Sequence, residues 1–245
     1  MFTESRFQTN FFLIQKKILR SKNLYFLNLV PLLIVLYVLL ADSLSTAIRF
    51  FLFLSPYFFL LISSDMIKDE IESGVLENVI FSRGEYRNYL FQKNLILFIL
   101  AFFFSSSIFL LLTIAALIHG IFQPLFLFQF FGSLVVGIYY LGLSGWLSFY
   151  FRGGSNVMII IIAQVMGVIS LFFSLQERAG FISYLEKGQF PGLLAKLKFG
   201  LFVLAIPNVL VVRNFLNYLY LAALAASIFL FWQRRQIRNL ELKKQ

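Results

Sequence analysis

The run Asn94–Ile118, NLILFILAFFFSSSIFLLLTIAALI, decides the fold class of this chain. It contains no Asp, Glu, Lys, Arg or His along its whole length. An apolar run of about 20 residues is long enough to cross a bilayer as an α-helix. The composition agrees, because 60% of the residues are hydrophobic and only 13% are charged, whereas soluble domains carry about 25% charged residues. The sequence therefore predicts an all-α, polytopic membrane protein.

Five further apolar runs bring the prediction to six transmembrane helices within one transmembrane domain, residues 1–245. Basic residues fall mainly before the first run, between the second and third, and after the last, whereas the short turns 42–45 and 119–124 contain neither Lys nor Arg. Cytoplasmic loops are enriched in Lys and Arg, so both termini are predicted to be cytoplasmic. The predicted spans cover approximately residues 24–41, 46–64, 94–118, 126–151, 157–175 and 214–232.

The net charge of +10 has a simple explanation in this topology. Basic residues on the cytoplasmic side are attracted to anionic lipid headgroups. We therefore expect membrane lipid as a partner and no nucleic acid.

The N-terminal segment has the pattern of an amphipathic helix. Phe7, Phe11, Ile14 and Ile18 recur at helical spacing among basic residues, which predicts an interfacial elbow helix over residues 5–22. The alternative is that this segment is only a basic flank of the first span.

Residues 176–213 form a long connection that the topology places on the extracytoplasmic side. Within it the apolar run 199–212 has only 14 residues and contains Pro207. That length favours a re-entrant or interfacial segment over a seventh span. A seventh span would also put the basic C-terminal tail outside, against the distribution of positive charge.

The sequence lacks the residues that several kinds of chemistry require. The chain has no cysteine, a single histidine (His119) and no G-x-x-x-x-G-K-[ST] motif for binding ATP phosphates. Arg49 is the one ionisable residue inside the predicted spans, and it lies near a span end, so a proton relay at membrane depth is not expected. We predict no catalytic residues, no metal site and no cofactor bound by this chain itself.

The fourth predicted span carries a series of small residues. Small side chains let neighbouring helices approach closely in a membrane protein. We therefore predict a structural packing role for Ser133, Gly137, Ser144, Gly145 and Ser148.

A polar island, Ser64–Lys93, separates the second and third spans and reads SDMIKDEIESGVLENVIFSRGEYRNYLFQK. It holds six of the chain's 11 acidic residues. Connections between packed helices usually have about 2–8 residues, so this one is long. Aliphatic and aromatic residues stand among its charges, a mixture typical of a docking surface. The alternative is a solvated loop with no partner.

The run Glu72–Lys93 resembles the signature of type-2 permeases of ATP-binding cassette (ABC) transporters. In that family an acidic stretch leads into Gly-Thr-Leu-Glu, then Ser-Pro, then a charged residue with Tyr, and finally Lys where the third span starts. Here Val75 replaces the threonine and Arg83 replaces the proline. The elbow helix, the six spans and the long connection before the sixth also follow the family plan. The matching residues are Gly74, Leu76, Glu77, Ser82, Glu85, Tyr86 and Lys93.

The resemblance implies that the chain is the transmembrane permease subunit of an ABC exporter in the cytoplasmic (inner) membrane, and not itself an enzyme. It implies two copies of a separate ATPase subunit, which hold ATP and Mg²⁺, and a second permease chain that we expect to form a homodimer. In the family, the loop corresponding to residues 65–93 couples the permease to the ATPase. The expected coupling residues are Glu70, Glu72, Gly74, Leu76, Glu77, Asn78, Ser82, Arg83, Tyr86, Arg87 and Lys93.

The resemblance also implies a substrate path between the second and fifth spans of two permeases. Because the residues available there are aromatic or uncharged, we expect an amphiphilic or hydrophobic substrate. For any single ring, packing or lipid contact is the alternative. The expected path residues are Phe51, Tyr57, Phe58, Asn156, Gln164, Phe172 and Phe173.

Two other classes of function fit the sequence. An integral-membrane enzyme that modifies lipid would need a polar cluster, which Asp65, Asp69 and Glu72 are available to form. A membrane anchor or sensor would use the polar island to recruit a regulator.

Overall fold

The computed structural model describes residues 22–64, 67–72, 74, 86–151, 153–176, 192–212 and 216–244. Most of these residues are helical, and none of them lies in a strand. In this part of the chain, four helices are long and apolar enough to cross a membrane: Leu44–Ser63, Asn88–Ile118, Leu125–Leu147 and Leu216–Asn239. Two shorter apolar helices are Leu29–Ala41 and Ser155–Ile169. A helical membrane protein is thus confirmed, while the number of six spans stays a prediction.

The helices follow the predicted apolar runs, although several end elsewhere. The third run is helical from Tyr86 rather than from residue 94, the fourth helix ends at Leu147 rather than at 151, and the last continues through the basic tail. The predicted elbow over residues 5–22 lies almost entirely outside the described residues. The helices are α1 Lys22–Ala41, α2 Leu44–Leu54, α3 Pro56–Ser63, α4 Lys68–Glu72, α5 Tyr86–Ile118, α6 Leu125–Leu147, α7 Gly153–Gln176, α8 Leu193–Ala205, α9 Asn208–Val212 and α10 Leu219–Lys244, with a 3-10 turn at Leu216–Tyr218.

Helix α6 is the central helix and packs against α10, α3, α9, α5 and α2. Its glycines permit this packing. A Cβ added at Gly137 would lie 2.5 Å from the ring of Phe59 on α3, and one at Gly145 would collide with the amide of Gln233 on α10. The predicted role of the small residues of this span in close packing is confirmed at these two positions.

Helices α2 and α3 form one span with a break at Ser55 and Pro56. Proline has no N–H, so Pro56 cannot donate the hydrogen bond that the Leu52 carbonyl would receive in a regular helix. Ser55 Oγ donates to the Leu52 carbonyl instead, at 3.4 Å. The Phe53 carbonyl accepts a hydrogen bond from Asn208 Nδ2 on α9, at 2.6 Å. The break therefore connects this span to a distant part of the chain.

The end of α8 and the helix α9 contact α6. The Leu204 carbonyl in α8 accepts a hydrogen bond from Tyr139 Oη at 2.7 Å. The Val212 carbonyl, at the end of α9, accepts one from Gln129 Nε2 at 3.5 Å. Residues 129 and 139 are ten positions apart on α6, which is about 15 Å along a helix. The polypeptide therefore contacts the middle of α6 at the end of α8, and a position nearer the start of α6 at the end of α9.

Candidate functional site

The polar island contains a buried ion pair. Lys93 Nζ on α5 lies 2.5 Å from Glu70 Oε1 on α4, and each residue is only 5% exposed. Tyr89, one turn before Lys93, donates its hydroxyl to the same carboxylate oxygen at 3.2 Å. Residues four positions apart share a face of a helix, so α5 presents both groups to Glu70 together. The short helix α4 is thereby attached to the start of a long apolar helix.

Apolar side chains surround this ion pair. Ile67 beside α4 and Leu90 on α5 are buried in one cluster with Phe59 of α3 and Ile237 of α10. Removing one partner of a buried ion pair is strongly destabilising, because the other charge remains buried without it. Any movement of α4 would therefore also disturb the packing of α3, α5 and α10.

The other predicted coupling residues divide into three groups. Glu72 is exposed at the end of α4, and Gly74 has φ of +72°, a conformation that favours glycine. Tyr86 and Arg87 begin α5, but their side chains are not among those described. Five residues lie outside the described part of the chain: Leu76, Glu77, Asn78, Ser82 and Arg83.

A chain of side-chain hydrogen bonds lies within the helix bundle. Tyr57 Oη donates to Gln164 Oε1 at 2.7 Å, and Gln164 Nε2 donates to Tyr140 Oη at 2.6 Å. Tyr140 Oη donates to Asn208 Oδ1 at 2.5 Å, and Asn208 Nδ2 donates to the Phe53 carbonyl. This series of hydrogen bonds starts at Tyr57 in the α2–α3 span and ends in the same span, one turn away, at Phe53. It joins α3, α7, α6 and α9 around the proline break.

The structure brings together two of the predicted path residues, Tyr57 and Gln164, as hydrogen-bonded neighbours. Sequence reasoning missed their partners, Tyr140 and Asn208. A signal for Asn208 was present, because it is the only polar residue of the apolar run 199–212 and a buried amide needs partners. Tyr140 carries no comparable signal in the sequence.

Asn156 forms a second polar contact between helices. Its Nδ2 donates to the Ser144 carbonyl on α6 at 2.8 Å and lies 3.3 Å from the Ser64 carbonyl after α3. Asn156 is completely buried, and within the described atoms its Oδ1 has no hydrogen-bond partner. This predicted path residue therefore holds the start of α7 against α6.

The remaining predicted path residues do not line an open path in this conformation. Phe51 stacks on Phe109 of α5 at a centroid distance of 6.4 Å, and Phe58 meets Phe104 of α5 edge-on at 4.8 Å. Both Phe51 and Phe58 are buried in this packing. Phe172 and Phe173 belong to α7, but their side chains lie outside the description.

No family model, curated protein or solved structure matches this chain. Function must therefore be inferred from the contacts above and from the residues of the polar island. Among the described residues, no group of three or more His, Asp or Glu is placed to hold a metal ion.

We predict that Tyr140→Phe destabilises the protein by about 1–3 kcal/mol, because it leaves buried groups of Gln164 and Asn208 without a partner. Tyr37→Phe is the matched control, since Tyr37 is 70% exposed on α1. Thermal unfolding of both purified variants in detergent measures the difference. Equal midpoints for the two variants would show that the hydrogen-bond chain contributes no stability.

We predict that Lys93→Met destabilises the protein by about 3–5 kcal/mol, because the buried carboxylate of Glu70 loses the cation beside it. Lys68→Met, a partly exposed position on α4, is expected to change stability by less than about 0.5 kcal/mol. The double variant Glu70→Gln/Lys93→Met should recover much of the loss, since the buried negative charge is gone. A double variant no more stable than Lys93→Met contradicts this explanation.

Proposed function

We propose that this chain is the transmembrane permease subunit of an ABC exporter and is moved by a separate ATPase subunit. The observation that carries the proposal is the buried Glu70–Lys93 ion pair within the polar island. A partner that pushes on a permease needs a firm contact with the spans, and a solvated loop does not supply one. The ion pair connects the island to α5, and the apolar cluster connects it to α3 and α10.

The proposal includes six spans, an N-terminal elbow helix and cytoplasmic termini. Helices α1 and α7 contain 20 and 24 residues, or about 30 and 36 Å, which matches a hydrocarbon core of about 30 Å. They would complete the six spans with α2–α3, α5, α6 and α10. The contacts of Leu204 and Val212 along α6 support a re-entrant α8–α9 segment, because this segment reaches mid-span and turns back.

The energy for movement is proposed to come from outside the chain. Apart from the Glu70–Lys93 pair, the polar side chains buried in the described bundle are uncharged hydroxyls and amides. Arg49 is exposed on α2. Proton- or ion-driven transport uses ionisable groups at membrane depth, and apart from the Glu70–Lys93 pair no Asp, Glu, Lys, Arg or His is buried among the described residues.

The α2–α3 break is proposed as the place where the span moves. Interrupted helices at membrane depth recur in transporters, where they surround substrate sites. Here neutral hydrogen bonds close the break, and each is worth about 0.5–1.5 kcal/mol. A partner that binds two conformations with different affinity shifts their populations. Displacement of α4 would reach the break through α3, which shares the apolar cluster around the ion pair.

The proposed homodimer uses the exposed face of α7. Helix α7 makes few contacts within the chain, and large apolar side chains cover its outer face. A second permease on this face would enclose a path with an apolar, uncharged lining, which suits an amphiphilic or hydrophobic substrate. The exposed residues include Met158, Ile162, Val165, Met166 and Ile169.

Co-purification with candidate ABC ATPases from the same genome tests the proposal. We predict that the wild-type chain retains one of them and stimulates its ATP hydrolysis. The double charge reversal Glu72→Lys/Glu77→Lys should abolish the stimulation, because the proposed contact surface changes sign. Asp42→Lys, in the opposite turn, is the control and should leave the stimulation intact.

Two outcomes would contradict the proposal. One is equal ATPase stimulation by the wild-type chain and the double charge reversal. The other is turnover of a lipid substrate by the purified chain without any ATPase, which would favour the membrane-enzyme alternative.

A further inference from the structure

A half-open groove of about 470 Å³ lies between α5, α6 and α10, away from the hydrogen-bond chain. Three of its four polar residues, Asn94, Gln233 and Arg234, lie at the level of the basic end of α10, and the fourth, Ser227, lies about two turns earlier on α10. The rest of its wall is almost entirely apolar. The apolar side chains of the wall include Phe91, Leu95, Phe98, Ile138, Leu230 and Phe231.

The polar end of the groove carries a cation. The Arg234 guanidinium lies 5.7 Å above the centre of the Phe91 ring. Among the described side chains, no carboxylate lies within ion-pair distance of it. Asn94 donates from Nδ2 to Gln233 Oε1 at 3.2 Å, while Gln233 Nε2 is occupied by the Gly142 carbonyl. Arg234 is thus the group available to bind an anion at this end.

The groove is shallow enough to lie within one leaflet of a bilayer. Leu216 and Arg234 are 18 positions apart, or about 27 Å along a helix, close to the hydrocarbon thickness of about 30 Å. Arg234 therefore lies at headgroup level if Leu216 lies at the opposite interface. The lining continues from Arg234 to Ser227, about 10 Å deeper along α10.

An extended hydrocarbon chain suits the apolar part of the groove, whose lining runs about 10 Å along α10 from Arg234 to Ser227. An anionic group next to Arg234 would also be attracted by Arg235 and Arg238, which are exposed on the same helix.

We propose that this groove binds an anionic glycerophospholipid of the adjoining leaflet. Its phosphate lies beside Arg234, and the upper part of one acyl chain lies along Phe98 and Leu230. Under the proposed topology this is the cytoplasmic leaflet. The site does not depend on the proposed transport function, since it requires only that the helices span a bilayer.

Native mass spectrometry of the purified full-length chain tests the site with phosphatidylglycerol and phosphatidylcholine of identical acyl chains. The wild-type chain should retain phosphatidylglycerol in preference. Arg234→Gln should lower that retention about fivefold, the factor expected for one lost charge contact near a membrane surface. Arg235→Gln is the matched control, because Arg235 is exposed but does not line the groove, and should have a much smaller effect.

A second pair of variants tests the apolar part of the groove. Ser227→Phe places a ring in the space and should reduce retention of phosphatidylglycerol, whereas Ile228→Phe, an exposed neighbour outside the lining, should not. Equal losses from Arg234→Gln and Arg235→Gln would overturn the proposal in favour of general attraction to a basic surface. Unchanged retention by folded Ser227→Phe, or displacement of the lipid by inorganic phosphate, would overturn it too.

Discussion

Pro56 interrupts backbone hydrogen bonding in a span whose surroundings are apolar, and the neighbouring part of the structure is arranged around that interruption. Carbonyl groups in such surroundings need partners from the protein, because an unsatisfied group costs several kcal/mol. Ser55 supplies one partner and Asn208 supplies another. Asn208 also accepts from Tyr140, which accepts from Gln164, which accepts from Tyr57. The break at Pro56 is thus linked, through Asn208, to hydrogen bonds that join α3, α6, α7 and α9.

The ion pair and the proline break are connected through packed side chains. Phe59, close to the break on α3, packs in the cluster that surrounds Glu70 and Lys93. Its ring also fills the space that Gly137 leaves on α6. Within the α2–α3 span, a displacement of α4 would therefore act first on α3. This arrangement gives the proposed ATPase contact a physical route to the hydrogen-bond chain, through packed side chains.

The sequence indicated the helices and the close-packed fourth span because these depend on local composition and spacing. It also singled out Tyr57 and Gln164, because the family resemblance implies a substrate path between the second and fifth spans. Their connection was not predictable, because Tyr57 and Gln164 are 107 positions apart and Tyr140 and Asn208 are 68 apart. Spacing in one sequence carries no information on such distant pairs. Glu70 and Lys93 were each expected to act in coupling, but their pairing with each other came from the structure.

Spin-label distances between Glu72→Cys on α4 and Ile162→Cys on α7 test the central claim that an ATPase moves the spans through the polar island. The natural chain has no cysteine, so both labels are specific. In the complex with its ATPase, ATP should shift this distance distribution. A control pair, Phe128→Cys on α6 and Tyr220→Cys on α10, should not change, because these helices pack closely. Identical Glu72–Ile162 label distances with and without ATP, in complexes that retain the ATPase, would contradict the claim.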